Sequence, residues 1–248
     1  MISKNLIKLI KSLELKKYRK REKLFVAEGP KVVGDIMALT APQRIIATSG
    51  WYQATHVEED VVVTEEELRK VSFLQHPQEV MALFELPESE GVPSEQLRDN
   101  LTLALDDVQD PGNLGTIIRL ADWFGIEHIV CNLGTADAYS PKVVQATMGS
   151  IARVKLHYTD LAEYLEGLQD AVPVYGTFLN GNNLYTEELS PAGIIIMGNE
   201  GNGISESVER HVTKRLLIPS YPAERPTAES LNVAIATAIT CAEFRRRK

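Results

Sequence analysis

The chain has 248 residues, 44% hydrophobic and 24% charged, which is the composition of a globular protein with room for two domains of ordinary size. Its apolar runs, such as Ile194–Met197, are far shorter than the roughly 20 residues that cross a bilayer, and its N-terminus lacks the apolar core of a secretory signal. We therefore expect no membrane partner and a cytoplasmic location.

The net charge of −8 by itself argues against a nucleic-acid partner, because phosphate binding requires Lys and Arg. The basic residues are nevertheless clustered: six lie between Lys16 and Lys23, and the chain ends in Arg245–Lys248. The cluster is equally compatible with a solvated helix face and with an RNA contact. The candidate RNA-binding residues are Lys16, Lys17, Lys20 and Arg21.

Residues 1–90 have the pattern of a small α/β domain. Apolar residues from Leu6 to Leu13 recur at helical spacing, and Gly29-Pro30 is typical of the start of a second helix. Short apolar segments predict three strands, at Phe25–Glu28, Arg44–Thr48 and Glu79–Phe84. The polar stretch Leu86–Ser94, with two prolines and a glycine, is the best candidate for a linker.

Residues 97–248 alternate between predicted strands and helices. The strands are predicted at Leu101–Leu105, Glu127–Cys131, Val172–Thr177, Gly193–Met197 and Arg215–Ile218. Because they are almost continuously apolar, they predict a mostly parallel sheet that is covered on both faces. Cys131 and Cys241 lack the spacing of a metal or redox site, so we expect two buried free thiols and no metal.

Three segments carry polar residues directly after predicted strands, where an open parallel sheet binds its ligands. The first runs from Asp106 to Arg119. Its Asn113 stands where a helix of about Leu114–Phe124 should begin, and a helix cap is one interpretation of it. Arg119 follows on an otherwise apolar helix, so it must reach an acid, a phosphate or the surface.

The second segment, Met197–Ser205, contains three glycines in six residues, which let the backbone turn sharply and approach a ligand closely. The glycine spacing and late position differ from a dinucleotide-binding fingerprint. A strand-to-helix loop with Ser205 as helix cap accounts for the glycines but not for Glu200. The third segment runs from Ile218 to Ile239, and its Ser230 is the expected cap of an alanine-rich helix that can pack closely.

The order D-x-x-x-D-P-G-N-x-G-x-x-x-R, M-G-x-E-G-x-G and I-P…S-L-N-V-A resembles the three motifs of the SpoU (TrmH-type) RNA 2′-O-ribose methyltransferases, over residues 97–245. Residues 1–90 are similar to the L30e-like substrate-binding domain of that family, mainly at Lys20, Phe25, Glu28-Gly29 and 76–82. The resemblance implies a SPOUT-type α/β fold with a C-terminal trefoil knot and a homodimer formed through the catalytic domain. It also implies S-adenosylmethionine as methyl donor and RNA as substrate, with rRNA favoured over tRNA.

By the same resemblance, five residues match the catalytic motif positions: Asn113, Arg119, Glu200, Ser230 and Asn232. Four match positions that hold the methyl donor: Thr177, Gly198, Ile218 and Leu231. The segment Ser220–Glu229 departs from the family because it is longer and lacks a glycine, which affects the expected shape of the donor pocket. Ala234 stands where many relatives have a serine.

The chemistry requires a ribose oxygen aligned with the methyl donor and a destination for the hydroxyl proton. Arg119 stays protonated, so we expect it to bind a phosphate or stabilise a developing alkoxide. Glu200 can accept a hydrogen bond from Asn113 or Arg119, while Asn232 and Ser230 would position the ribose. Two alternatives remain open: a non-enzymatic RNA-binding protein on this scaffold, or a nicotinamide- or ATP-dependent enzyme that uses the loop 198–203.

Overall fold

The computed structural model describes residues 2–88, 91–92, 94–168, 172–222 and 228–247. It contains two compact units: unit 1 comprises residues 1–88 and 137–152, and unit 2 comprises residues 89–136 and 153–248. The boundary between the two units at residues 88 and 89 therefore falls inside the predicted linker, Leu86–Ser94, of which Ser89, Glu90 and Pro93 lie outside the described residues. The chain also returns from unit 2 to unit 1 between residues 137 and 152, which the sequence pattern did not indicate.

Unit 1 is built on a four-stranded sheet in the order β1-β4-β2-β3. Its strands are β1 (Leu24–Glu28), β2 (Arg44–Ala47), β3 (Val61–Val62) and β4 (Val80–Glu85). Its helices are α1 (Lys4–Ser12), α2 (Lys16–Glu22), α3 (Pro30–Met37), α4 (Ser49–Thr55), α5 (Glu65–Val71) and α8 (Pro141–Ala146). The three predicted strands are confirmed within two residues, whereas β3 is too short to have been predicted.

Local sequence explains several of these helices. Ser3 caps α1, which buries Ile10 against the sheet, and Thr64 with Glu67 forms a capping box at the start of α5. Gly29 has a positive φ of 86° immediately before Pro30, the first residue of α3. A residue with a side chain would be strained at that φ, so the Gly-Pro pair sets the start of the helix.

Unit 2 is built on a six-stranded sheet in the order β10-β8-β9-β5-β6-β7, with every neighbouring pair parallel. Its strands are β5 (Leu101–Leu105), β6 (His128–Asn132), β7 (Lys155–Thr159), β8 (Val174–Asn183), β9 (Gly193–Met197) and β10 (Lys214–Leu217). Its helices are α6 (Ser94–Asp99), α7 (Pro111–Trp123), α9 (Leu161–Glu166), α10 (Glu206–Glu209) and α11 (Val233–Arg246). The prediction of an α/β fold with a mostly parallel sheet is confirmed, and β7 is a strand that the prediction missed.

The strand order places the loops after β5 and β9 side by side. From β5 the chain builds the sheet in one direction through β6 and β7, and β9 later pairs with the opposite edge of β5. Loops on the two sides of such a switch point diverge, which opens a crevice at the carboxyl ends of the strands. The first and second motif segments begin at this crevice. No helix among the described residues is long and apolar enough to cross a membrane.

Candidate functional site

The first motif segment is organised by Asp110 and not by Asn113. Asp110 is the N-cap of α7, and its carboxylate accepts a hydrogen bond from the backbone N–H of Asn113 at 2.8 Å. The helix therefore begins at Pro111, earlier than predicted, and Asn113 lies inside its first turn. The interpretation of Asn113 as a cap is wrong, and its side chain is available for other contacts.

Glu200 of the second motif segment is held against the first. Its carboxylate accepts hydrogen bonds from the backbone N–H groups of Gln109 and Asp110, both at 3.1 Å, and from Asn113 Nδ2 at 3.0 Å. Partial burial raises the pKa of the Glu200 carboxyl, but these hydrogen bonds lower it more, so its pKa lies below the ordinary value. Glu200 is consequently an anionic acceptor at neutral pH.

The third motif segment joins the same hydrogen-bond chain through Asn232. Asn232 Nδ2 donates to Asn113 Oδ1 at 2.9 Å. Asn232 Oδ1 accepts from the backbone N–H groups of Ala234 and Ile235, so Asn232 is the N-cap of α11. The prediction of Ser230 as this cap is wrong: the helix begins three residues later, at Val233.

Arg119 and Ser230 lie outside this chain of contacts. Arg119 is exposed on α7, and within the described ranges it forms no hydrogen bond or ion pair, so the contact with Glu200 that was considered is absent there. Ser230 is likewise exposed. Of the three expected environments for Arg119, an acid, a phosphate or the surface, the structure shows the surface. The guanidinium remains available to a ligand.

Asn199 organises the glycine-rich loop, which comprises residues 198–205 of the second motif segment. The glycine spacing alone did not reveal this role. Its Oδ1 accepts from the N–H groups of Gly201 and Asn202, and its Nδ2 donates to the carbonyl oxygen of Asp107 at 2.7 Å. Gly198 has to be glycine because a Cβ there would lie 2.3 Å from the backbone carbon of Gly203. The loop thus folds back on itself beside the first motif segment.

Three of the four predicted donor-binding positions lie in or directly after three neighbouring strands. Gly198 follows β9, Ile218 follows β10, and Thr177 lies where residues 177–181 of β8 leave the ladder with β10. Thr177 Oγ1 donates to the carbonyl oxygen of Ile196 at 3.3 Å, which fixes it beside the end of β9. Leu231 is half exposed, next to Asn232.

The backbone at these positions suits a ligand held by main-chain groups. The N–H and C=O groups of Gly198, Ile218 and Leu231 form no hydrogen bond with other described residues. Backbone polar groups normally have hydrogen-bond partners, so a bound molecule can serve as the partner of these N–H and C=O groups. The long segment 220–229 is only partly described, since residues 223–227, including Arg225 and Pro226, lie outside the described ranges.

In unit 1 the predicted RNA-binding residues share one short helix. Lys16, Lys17, Lys20 and Arg21 are all exposed on α2. Arg19, in the same basic run, is instead buried, and its guanidinium bonds the carbonyl oxygens of Leu13 and Glu14 and the carboxylate of Asp137. The run therefore divides into one structural arginine and a ridge of exposed cations.

Unit 1 also contains a groove of about 800 Å³. Its lining combines apolar residues, among them Leu6, Leu24 and Leu83, with charged residues of both signs: Glu22, Lys23, Arg44 and Glu85. The apolar part of such a lining can accommodate the flat face of an unstacked base.

Both cysteines are buried thiols that form no disulfide, as predicted. Burial raises the pKa of the Cys241 thiol to about 12, so it is not a nucleophile near neutral pH. Among the residues that the structure describes, no group of three or more His, Cys, Asp or Glu side chains is arranged to hold a metal ion.

Comparison with known proteins identifies both parts of the chain. Residues 100–242 match the model of the SpoU rRNA methylase family, and residues 4–82 match that of an MRM3-like substrate binding domain. The chain is 32% identical over 237 residues to the 23S rRNA (guanosine(2553)-2′-O)-methyltransferase RlmP of Bacillus subtilis, which covers 92% of this chain and 91% of that protein.

Solved structures give the same result. A protein from Porphyromonas gingivalis, described as an RNA methyltransferase of the TrmH family, superposes with a TM-score of 0.90 at 42% identity over the whole of both chains. An AdoMet-bound rRNA methyltransferase from Sinorhizobium meliloti superposes with a TM-score of 0.85 at 31% identity, covering 100% of this chain and 96% of that chain.

Proposed function

The chain belongs to the SpoU rRNA methylase family, and on this premise we propose that residues 97–248 form its catalytic domain and residues 1–90 its RNA-binding domain. The protein is an S-adenosylmethionine-dependent RNA methyltransferase that acts on a ribose 2′-hydroxyl. The observation that carries the site assignment is the hydrogen-bond chain Glu200–Asn113–Asn232, which joins three segments that are remote in sequence.

This chain of contacts fixes the direction of each amide. Glu200 only accepts hydrogen bonds, so Asn113 must direct its NH₂ group towards Glu200 and its oxygen towards Asn232. Two backbone N–H groups fix Asn232 in the same way. A polar surface that cannot reorient positions a ribose hydroxyl with little loss of entropy, which is the requirement of an aligned methyl transfer.

Arg119 supplies the positive charge. A guanidinium stays protonated at all relevant pH values, so it binds the phosphate next to the target ribose or stabilises the oxygen as its proton leaves. Its exposed position on α7, six residues after Asn113, allows that contact. Ser230, exposed two residues before Asn232, contributes a hydroxyl to ribose binding.

The methyl donor is held by the backbone at Gly198, Ile218 and Leu231 and by Thr177. The main-chain N–H and C=O groups at the first three positions would be available to hydrogen-bond the polar groups of the donor. When bound, the donor supplies a sulfonium methyl group, already attached to a good leaving group. The knot that the family resemblance implies would bring these positions together around it.

The substrate is proposed to be rRNA in preference to tRNA. The Bacillus subtilis relative, which matches nearly the whole chain, is a 23S rRNA methyltransferase. The exposed cations of α2, Lys16, Lys17, Lys20 and Arg21, would contact RNA phosphates and supply affinity without sequence specificity. An rRNA substrate and two reduced, buried cysteines are consistent with a cytoplasmic location.

Assembly as a homodimer through unit 2 completes the proposal. Trp123 on α7 is 84% exposed and Ile235 on α11 is 53% exposed. The two helices are tied together, because Arg245 at the end of α11 donates to the carbonyl oxygen of Phe124 at 2.7 Å. A second copy would cover these apolar side chains by the same surface, giving a closed symmetric dimer.

The test is transfer of a labelled methyl group to RNA from cells that lack this protein. Purified protein with S-adenosylmethionine should label one site in rRNA, and digestion should release a 2′-O-methylated nucleoside. The tRNA fraction from the same cells is the matched control. Label in tRNA alone would contradict the rRNA assignment, whereas RNA binding without any transfer would favour a non-enzymatic RNA-binding protein.

A further inference from the structure

We propose that Asp106 is a positioning residue for methyl transfer: its buried carboxylate locks the end of the glycine-rich loop and the end of β6 against the end of β5, and thereby places Glu200. This inference rests on the proposed function. Asp106 touches neither Asn113 nor Glu200, and it is not among the predicted site residues.

Asp106 lies at the switch point of the sheet. It is the first residue after β5, the strand between β9 and β6, and only 1% of its surface is exposed. Its own N–H donates to the carbonyl oxygen of Met197 at 2.9 Å, which extends the β5–β9 pairing by one step. A carboxylate is costly to bury at such a position unless hydrogen bonds compensate for its lost hydration.

Both carboxylate oxygens are used, and each binds a different neighbour. Oδ2 accepts from the backbone N–H of Ser205 at 2.6 Å, and Oδ1 accepts from Asn132 Nδ2 at 3.1 Å. Asn132 ends β6, and its own oxygen accepts from the N–H of Leu161 at the start of α9. One side chain at the end of β5 therefore connects the loop that follows β9 with the last residue of β6.

The Ser205 contact determines the path of the loop that carries Glu200. The loop starts at Gly198, directly after β9, and Asp106 fixes its other end at Ser205. Between these points, Asn199 attaches the loop to the carbonyl oxygen of Asp107. These fixed points place the backbone of Glu200 where its carboxylate accepts hydrogen bonds from the N–H groups of Gln109 and Asp110 and from Asn113.

The chemistry of the neighbours explains why this residue is an acid. Ser205 N–H and Asn132 NH₂ are both donors, so position 106 needs two acceptors and no hydrogen of its own. An asparagine at 106 would direct one NH₂ group at a donor. If position 132 became an aspartate at the same time, the pattern would be restored, because the NH₂ of residue 106 would then donate to residue 132 and Leu161 N–H would still find an oxygen.

The experiment compares Asp106→Asn, Asn132→Asp and the double exchange with the wild type. We measure kcat and KM for RNA, the Kd for S-adenosylmethionine by calorimetry, and thermal unfolding. Each single variant should lose about tenfold or more in kcat, with the KM for RNA nearly unchanged because RNA affinity resides mainly in unit 1. The double exchange should recover kcat to within about threefold of the wild type.

A second pair of variants addresses the loop alone. Ser205 has φ −67°, which proline adopts, so Ser205→Pro keeps this backbone conformation, removes the N–H that donates to Asp106 and places the ring Cδ against the Asp106 carboxylate. Glu206→Pro is the matched control, since the first position of α10 has no bonded N–H to lose and Ser205 already has the extended conformation that precedes proline. Ser205→Pro should lower kcat, and Glu206→Pro should not.

Four outcomes decide the matter. Loss in the single variants with recovery in the double exchange supports the proposal. Wild-type kcat in Asp106→Asn or in Ser205→Pro, measured well below the unfolding temperature, overturns it. Recovery of thermal stability but not of kcat in the double exchange also overturns it, because Asp106 would then be structural only. If the wild type itself transfers no methyl group, the proposed function fails instead.

Discussion

Asn113 Oδ1 and Asn232 Nδ2 form a 2.9 Å hydrogen bond across 119 residues of sequence. Because Asn113 donates to Glu200 and Asn232 caps α11, this bond couples the start of the last helix to the acidic residue of the glycine-rich loop. The amide pair is therefore both a structural joint and a surface on which a ribose can be oriented.

Asn232→Asp should separate these two roles. Aspartate still caps α11 through one oxygen, but it places a second oxygen against Asn113 Oδ1 with no hydrogen between them. We expect stability close to that of the wild type and a large loss of kcat. Asn232→Ala, the comparison variant, should lose activity and also about 1 kcal/mol of stability with the cap. Thermal unfolding and turnover measured together test this; full activity in Asn232→Asp would refute it.

Arg119→Ala should abolish methyl transfer and leave donor binding nearly intact. The guanidinium is exposed and forms no ion pair within the described ranges, so its removal costs little stability. Loss of a charge that stabilises the transition state typically costs about 10²–10³ in kcat. Arg98→Ala, an exposed arginine on α6 of the same unit, is the control. Near-normal turnover in Arg119→Ala would contradict the catalytic role.

Charge reversal on α2 should weaken RNA binding and flatten its salt dependence. Lys17→Glu with Lys20→Glu removes two candidate phosphate contacts, so the slope of log K against log salt should fall by about two. Arg69→Glu with Lys70→Glu changes the net charge of the same unit equally, on exposed positions of α5. Equal effects of the two double variants would identify the α2 cluster as a solvated face only.

The stability of unit 2 should fall with acidification through the pair His128 and His157. Their Nδ1 and Nε2 atoms are 2.9 Å apart, and both rings are buried. Burial lowers the pKa of both rings. For His157, the charges of His128 and Lys155 lower the pKa further, to about 4.

Because the unfolded chain binds a proton near pH 6.5 and folded His157 only near pH 4, stability is full above pH 6.5 and falls as the pH decreases towards 4. The loss for His157 is on the order of 3 kcal/mol, at about 1.4 kcal/mol per pKa unit. Denaturant unfolding at several pH values should show a flatter profile for His157→Gln. The exposed His76→Gln should leave the wild-type profile unchanged.

Ala238→Glu should favour monomers. Ala238 is half-buried on α11, one turn after the exposed Ile235, so a glutamate there would place an unpaired charge in the proposed dimer contact. Sedimentation should give a dimer for the wild type and a less active monomer for the variant. Ala54→Glu, on an exposed position of α4, should stay dimeric. A fully active wild-type monomer at micromolar concentration would refute the dimer.

Several features were determined by the sequence itself. The five strands predicted in residues 97–248 are all present, because short, almost continuously apolar runs such as Ile194–Met197 favour strands that are covered on both faces. The motif residues were also identified from the sequence, by their order along the chain and their resemblance to the family motifs. A motif indicates a functional residue when it contains a side chain, such as Glu200, that the local loop structure does not require.

Tertiary structure decided how those residues are used. A helix cap is one interpretation of Asn113 from its neighbours, and Ser230 is the predicted cap of the last helix, but Asp110 and Asn232 hold those positions, which leaves the Asn113 side chain to bridge two other segments. Asp106 stands first in the D-x-x-x-D-P-G-N motif, but the motif does not reveal its role, because that role lies in contacts with Ser205 and Asn132, 99 and 26 residues away. A hydrogen bond between strand ends depends on which strands are neighbours, and strand order is set by packing of the whole sheet and not by local sequence.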